Sequence, residues 1–161
     1  MSAIANFTLL PKSSIDGLRD AAVPKKNLFG KPKYVFHEYL SQHGRALTEY
    51  NWSGYVIATL LPYLEQKRSI ELMKSEFDEL GSFLTNSLGS TTFILTHKHK
   101  EAYSVQLEPE TYSEGEMREY FEDFNATKFE EAGKAMLDGI KVIQSNLAQA
   151  NSDNIILLSI G

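Results

Sequence analysis

The two ends of the chain carry apolar runs with the pattern of β-strands. In AIANFTLL (3–10), apolar residues alternate with Asn6 and Thr8, which predicts a short strand with one buried face that stops at Pro11. The run NIILLSI (154–160) is apolar almost throughout and predicts a buried strand. We expect both terminal strands to pair inside one sheet.

Between these strands, apolar positions recur mainly every three or four residues, which is the period of amphipathic helices. Two Ser/Thr-x-x-Glu capping boxes, at Ser113 and Thr127, mark helix starts, and Gly89 marks a helix end. The predicted helices are a short one after Ser13 or Ser14, followed by 36–50, 53–66, 69–89, 113–124 and 127–150.

The segment 53–66 differs from the other helices because it is apolar over most of its circumference, as is typical of a helix at the centre of a fold. Pro62 lies inside it and cannot donate a backbone hydrogen bond, so we expect a kink or a restart there. Trp52 and Tyr55 at its entrance, with His43, define a candidate ligand pocket. The alternative is that Trp52 only fastens the incoming chain to the helix.

Residues 90–107 are rich in β-branched and aromatic residues and predict a β-hairpin with strands near 91–97 and 102–107. On such a strand His97, His99 and Glu101 would project to one face, and His-x-His on a strand is a known geometry for metals that bind imidazole. These three residues are the candidate metal ligands. The alternative interpretation is the polar tip of a hairpin, because two neighbouring lysines would oppose a cation.

The order of predicted elements is β-α-α-α-α-β-β-α-α-β. Because the strands are few and do not alternate with helices, this order favours an α+β fold over a doubly wound parallel sheet. The 161 residues have the length of one domain. We therefore expect a single α+β domain over residues 1–161, with a small, mostly antiparallel sheet of about four strands, both terminal strands included, packed with about six helices.

The composition excludes several classes of site. The chain has no cysteine, which excludes disulfides, thiolate metal sites and a cysteine nucleophile. It also has no glycine-rich phosphate loop, serine elbow or dinucleotide fingerprint, so we expect no cofactor and favour a function other than catalysis. We expect a cytoplasmic protein, since neither a secretion signal nor a run of ~20 apolar residues is present.

The net charge of −5 is unevenly distributed, with +3 over residues 1–50 and −8 over residues 101–161. An acidic C-terminal third repels phosphate, which disfavours nucleic acid, and it suits a basic protein partner. The alternative is an ordinary solvated helix surface. The candidate partner-binding residues are Glu114, Glu116, Glu119, Glu122, Asp123, Glu130 and Glu131.

The start MSAIANF, the acidic-then-amphipathic helical pair and the final NIILLSIG together resemble the YfbM-like family of uncharacterised bacterial proteins. The block FHEYLSQHGRALTEYNWSGYVIATLLPYLEQK (36–67) is similar to a segment of bacterial proteins of this size. The resemblance implies a single α+β domain and a bacterial origin. It assigns no activity to any residue.

These features favour a non-enzymatic, acidic protein-binding domain, of the kind found in inhibitor and immunity proteins, that acts on a basic partner. The alternative is a small-ligand or metal-binding domain, or an enzyme, with its pocket beside helix 53–66. A homodimer built on the edge of the predicted hairpin is a third hypothesis, and neither nucleic acid nor a membrane is expected as a partner.

Overall fold

The computed structural model describes residues 3–26 and 30–161. Its strands form one antiparallel sheet in the order β2-β1-β4-β3. The first and last strands are neighbours at the centre of the sheet, so the predicted single α+β domain, with both terminal strands in its sheet, is confirmed. The strands are β1 (Ala5–Pro11), β2 (Arg45–Ala46), β3 (Thr91–Leu95) and β4 (Asn154–Ile160).

Seven α-helices accompany the sheet in the described part of the chain, and none of them is long and apolar enough to cross a bilayer. Short 3-10 turns occupy Lys12–Ser14, Val105–Leu107 and Pro109–Thr111. The helices are α1 (Ile15–Ala22), α2 (Phe36–His43), α3 (Gly54–Arg68), α4 (Asp78–Leu88), α5 (His97–Tyr103), α6 (Glu114–Asn125) and α7 (Ala132–Leu147).

The sheet separates two hydrophobic cores, because successive residues of a strand point to opposite faces. Phe7 and Leu158 lie on one face and pack with α3, α6 and α7. Leu10 and Leu157 lie on the other face and pack with α1, α2 and α4. β4 is buried along nearly its whole length because it contributes side chains to both cores.

Helix α3 is the centre of the larger core, as its apolar circumference predicts. Ser53 caps it by accepting a hydrogen bond from the Tyr55 backbone N–H at 3.4 Å. The expected restart at Pro62 is wrong, since α3 runs without interruption to Arg68. Ala58, whose carbonyl loses its partner to the proline, is exposed, so solvent can hydrate that carbonyl while burial of the remaining side chains holds the helix together.

The predicted helix 36–50 is too long, because α2 ends at His43 and Gly44 is its extended C-cap. Leu47 and Tyr50 are buried as predicted, but from an extended segment. The Leu47 N–H donates to the Phe7 carbonyl at 2.9 Å, and the Tyr50 hydroxyl donates to the Ala135 carbonyl at 2.8 Å. Contacts with the sheet and with α7 therefore replace the helical period here.

The predicted hairpin at 91–107 is wrong beyond its first strand. β3 ends at Leu95, and His97–Tyr103 is the helix α5. Thr96 and His99 form a reciprocal capping box, in which the Thr96 N–H donates to His99 Nδ1 at 2.9 Å. The predicted second strand, 102–107, is instead part of α5 and a 3-10 turn, and β3 itself lies at the edge of the sheet.

Two other helices begin later than predicted. α4 begins at Asp78, because the Ser75 N–H donates to Asp78 Oδ1 at 2.7 Å and so forms a local turn ahead of the helix. α7 begins at Ala132, not at Thr127. The Thr127 N–H instead donates to the Glu122 carbonyl at 3.2 Å and closes the end of α6, where Ala126 is left-handed with φ +49°.

The start of α7 crosses the start of α6 at a distance that only glycine allows. A Cβ on Gly133 would lie 2.0 Å from the Glu114 carbonyl oxygen, and a Cβ on Gly139 would lie 2.8 Å from Cδ2 of Leu60 on α3. The lack of a side chain at these two glycines thus allows α7 to pack closely against α6 and α3. The backbone contact at Gly133 sets the position of α6 on the domain.

We predict that Gly133→Ala lowers the free energy of unfolding by about 1–3 kcal/mol or more, because the clash is with backbone. The matched control is Gly115→Ala on α6, where the nearest atom to a new Cβ is 3.7 Å away. This control should change stability by no more than about 1 kcal/mol, in the stabilising direction. Denaturant titration measures both, and equal effects of the two substitutions would contradict the prediction.

Candidate functional site

The acidic residues of α6 form a stripe along its exposed side. Met117 and Phe121 bury one face of the helix. Glu116, Glu119 and Asp123 recur at the spacing that aligns side chains along a neighbouring face. Ser113 begins the helix as predicted, because its hydroxyl accepts from the Glu116 N–H at 3.4 Å.

Two aromatic residues lie within this stripe. Tyr120 and Phe124 stack with ring centroids 5.7 Å apart and an interplanar angle of 19°. Phe124 is 53% exposed, which is unusual for a phenylalanine, and Tyr120 is half-buried. Together with Lys67 of α3 and the three carboxylates, these rings line a groove of about 390 Å³. We call it the α6 groove.

A cluster of tyrosines lies beside the α6 groove. Tyr63 of α3 is fully buried and meets the Tyr120 ring edge-on at 5.1 Å. The Tyr120 hydroxyl donates to Gln66 Oε1 at 3.1 Å, which fixes the ring at the groove wall. Next to Tyr63, Tyr112 lies under the Arg68 guanidinium, which is 4.2 Å from the centre of its ring.

Burial raises the pKa of Tyr63, and the nearby negative charge of Glu116 raises it further. The Tyr63 hydroxyl has no hydrogen-bond partner among the described residues. Tyr63 is therefore uncharged at neutral pH. The charge of the groove comes from its carboxylates and from Lys67.

The α6 groove has the chemistry of a receptor for cationic groups. Its carboxylates attract a positive charge, and the faces of Tyr120 and Phe124 offer cation–π contacts, to which a guanidinium adds stacking. The groove is lined by three of the seven predicted partner-binding residues, Glu116, Glu119 and Asp123. Tyr120 and Phe124 follow the same helical spacing as the buried Met117 and Phe121, so the sequence pattern did not single them out as exposed.

The other four acidic residues lie outside the groove lining. Glu114 contributes its carbonyl to the close contact with Gly133, and Glu122 Oε1 accepts from the Phe129 N–H at 3.3 Å. Glu130 and Glu131 are exposed just before α7. They extend the acidic surface toward the next helix without lining the groove.

The structure does not bring the predicted pocket residues together. Trp52 is half-buried against α7, where its Nε1–H donates to Asp138 Oδ2 at 3.1 Å and its ring meets Phe129 edge-on at 6.2 Å. Tyr55 is 56% exposed. His43 is exposed at the end of α2, in the other helical layer, beside Tyr39. Trp52 thus fastens the incoming chain to α7.

The predicted metal site loses the geometry on which it rested, because its residues lie on a helix and not on a strand. His97 Nε2 is 3.2 Å from Glu101 Oε1, one helical turn away. His99 is buried, and its ring nitrogens face the Thr96 N–H at 2.9 Å and the Lys74 carbonyl at 2.7 Å. Within residues 3–26 and 30–161, no group of three or more acidic or imidazole side chains has a metal-binding arrangement.

The described chain has further cavities on the other side of the sheet. One of about 380 Å³ lies between α4 and β3. Two adjoining cavities of about 280 and 520 Å³ lie over the sheet beside α2 and share Asn6, Phe36, His37 and Ser159.

Comparisons of this chain with protein-family models, with curated proteins and with solved structures found no match.

Tyr112 provides a pH-dependent test of the packing beside the α6 groove. Burial raises its pKa to about 12, against ~10 in an unfolded chain. A tyrosine whose pKa is raised by folding contributes its full stabilisation below pH ~10 and loses it as the pH rises toward 12.

We therefore predict that the free energy of unfolding falls as pH rises above ~10, and that it falls less steeply in Tyr112→Phe, by up to ~1.4 kcal/mol per pH unit. Denaturant titrations at pH values from about 9 to about 11.5 measure how the free energy of unfolding changes with pH. Val23→Ala, which removes no titratable group from a residue that is 48% exposed, is the control and should leave the slope unchanged. An identical slope in Tyr112→Phe and wild type would show the prediction to be wrong.

Proposed function

We propose that this chain is a non-enzymatic protein-binding domain that binds a basic partner through the α6 groove, as inhibitor and immunity proteins of bacteria do. The observation that carries the proposal is the exposed Tyr120–Phe124 stack bordered by three carboxylates. Exposed aromatic residues bordered by charged side chains are typical of interface anchors. The bacterial, YfbM-like origin and the cytoplasmic location belong to the same proposal.

In the proposed binding mode, the acidic residues and the aromatic pair have different roles. The net charge of −8 over residues 101–161 steers a basic partner toward this side of the domain, which raises the association rate. The aromatic pair then holds an arginine or lysine side chain of the partner, which slows dissociation. The α6 groove lies on a helix fixed by backbone contact with α7, so little ordering is needed on binding.

The charge contribution is tested with Glu119→Lys combined with Asp123→Lys, and the products of neighbouring genes are the first partners to try. We expect the groove variant to bind at least about tenfold more weakly, mainly through a slower on-rate, and its on-rate should depend less on salt than that of the wild type. Biolayer interferometry with the purified proteins measures both rates.

The matched control is Asp20→Lys combined with Glu38→Lys, which changes the net charge equally at exposed sites in the opposite helical layer. The control should retain most of the affinity. Association that ignores salt and survives reversal of the groove carboxylates would refute the proposal, and equal losses in both variants would reduce it to non-specific charge attraction.

The aromatic contribution is tested separately with Phe124→Ala, which changes no charge. We expect a loss of binding free energy above ~1 kcal/mol, seen as faster dissociation, because truncating an interface aromatic removes contact area. Val23→Ala, which truncates another half-exposed apolar residue in the opposite layer, should have no effect. If Phe124→Ala binds the partner as wild type does, the stack is no anchor.

A further inference from the structure

Helix α1 is too short to cover its face of the sheet. It lies between α2 and α4, packs against both, and shares the smaller core with Leu10 and Ile155 at one end of the strands. Its eight residues span about 12 Å, whereas the seven residues of β4 span about 23 Å. The far end of this face, at Asn6 and Ser159, is therefore left open between α2 and α4.

The open end of the face is polar, whereas the covered end is apolar. Asn6 and Thr92 are the cross-strand partners of Ser159 on its two sides, so the three form one row across β1, β4 and β3. One residue pair further along the same face, Leu157 and Ile94 are buried in the smaller core. The strand register thus places hydrogen-bonding side chains where the helical cover ends.

Two of these polar groups are already organised. The hydroxyls of Ser159 and Ser90 are 3.1 Å apart, and the Thr92 hydroxyl donates to the Ser90 carbonyl at 3.3 Å. The Asn6 carboxamide is exposed and lines both adjoining cavities, as does Ser159. The Asn6 carboxamide and the hydroxyl pair of Ser159 and Ser90 therefore line the same space.

The cleft above this row has the size and the lining of a small-molecule site. Its larger part measures about 520 Å³, within the range of ligand pockets. Phe36 and Leu88 supply apolar surface, and the aromatic side chains of Tyr34 and His37 stand at its exposed border. An apolar wall with a few converging polar groups is the usual composition of such a site.

We infer that this cleft, which we call the Asn6 cleft, binds a small uncharged molecule with a planar ring and an amide or similar hydrogen-bonding edge. The Asn6 carboxamide offers a donor and an acceptor side by side, which matches the same pair on an amide. The aromatic residues match the planar ring. This site lies on the opposite side of the sheet from the α6 groove. The inference therefore does not depend on the proposed partner binding.

The test uses benzamide as the probe and ¹H–¹⁵N NMR spectra of the full chain as the readout. We expect saturable shifts of the backbone amides of Asn6, His37 and Ser159, with a Kd of about 1 mM, as for a fragment of this size. Cyclohexanecarboxamide keeps the amide but lacks the planar ring, and it should bind at least about fivefold more weakly.

Two substitutions locate the binding. Ser159→Leu fills the cleft with the residue type that already occupies Leu157 on the same face, and it should abolish the shifts. Asn6→Ala removes only an exposed carboxamide and should weaken binding at least about fivefold, so it keeps the test valid if Ser159→Leu does not fold. Ser152→Leu, in an exposed turn, is the control and should bind as wild type does.

The inference is overturned if benzamide produces no saturable shift at these three amides. It is also overturned if the shifts persist unchanged in both Ser159→Leu and Asn6→Ala. Equal binding of cyclohexanecarboxamide would overturn the assignment of a planar ligand.

Discussion

The pairing of β1 with β4 is the contact on which the rest of this fold depends. Seven residue pairs, from Ala5 with Ile160 to Pro11 with Asn154, join the first strand to the last, and two backbone hydrogen bonds between Ile4 and Gly161 extend the ladder. Closing a loop of nearly the whole chain costs entropy, although this cost grows only slowly with length. Burial of apolar side chains on both faces of β4 offsets it.

The central pair divides the molecule into two helical layers with different surfaces. On one side, α3, α6 and α7 complete a large core and leave the α6 groove on the outside, where Phe124 remains exposed among carboxylates. On the other side, the short α1 leaves the Asn6 cleft open. Both surfaces rest on rigid secondary structure, which favours binding without rearrangement.

Several of the errors in the predicted helix and strand bounds have a local cause, which is that hydrogen bonds of side chains or caps end a periodic segment. Thr96 and His99 cap a helix where β-branched residues favour a strand, because the imidazole takes the place that a glutamate has in the usual capping box. The apolar period of 36–50 continues past Gly44, yet the chain leaves the helix there and buries Leu47 from an extended segment. Burial was predictable in that segment, and secondary structure was not.

By itself, the sequence determined which segments are buried and which face of each carries charge. The alternation around Asn6 and the apolar run at 154–160 specify strands, and the spacing of Glu116, Glu119 and Asp123 specifies an acidic stripe on a helix. Only the tertiary structure decided that this stripe meets Lys67, and that the Trp52 indole binds Asp138, 86 residues away. Such contacts depend on where helices cross, and crossing is set by close approaches such as that at Gly133, which no local pattern encodes.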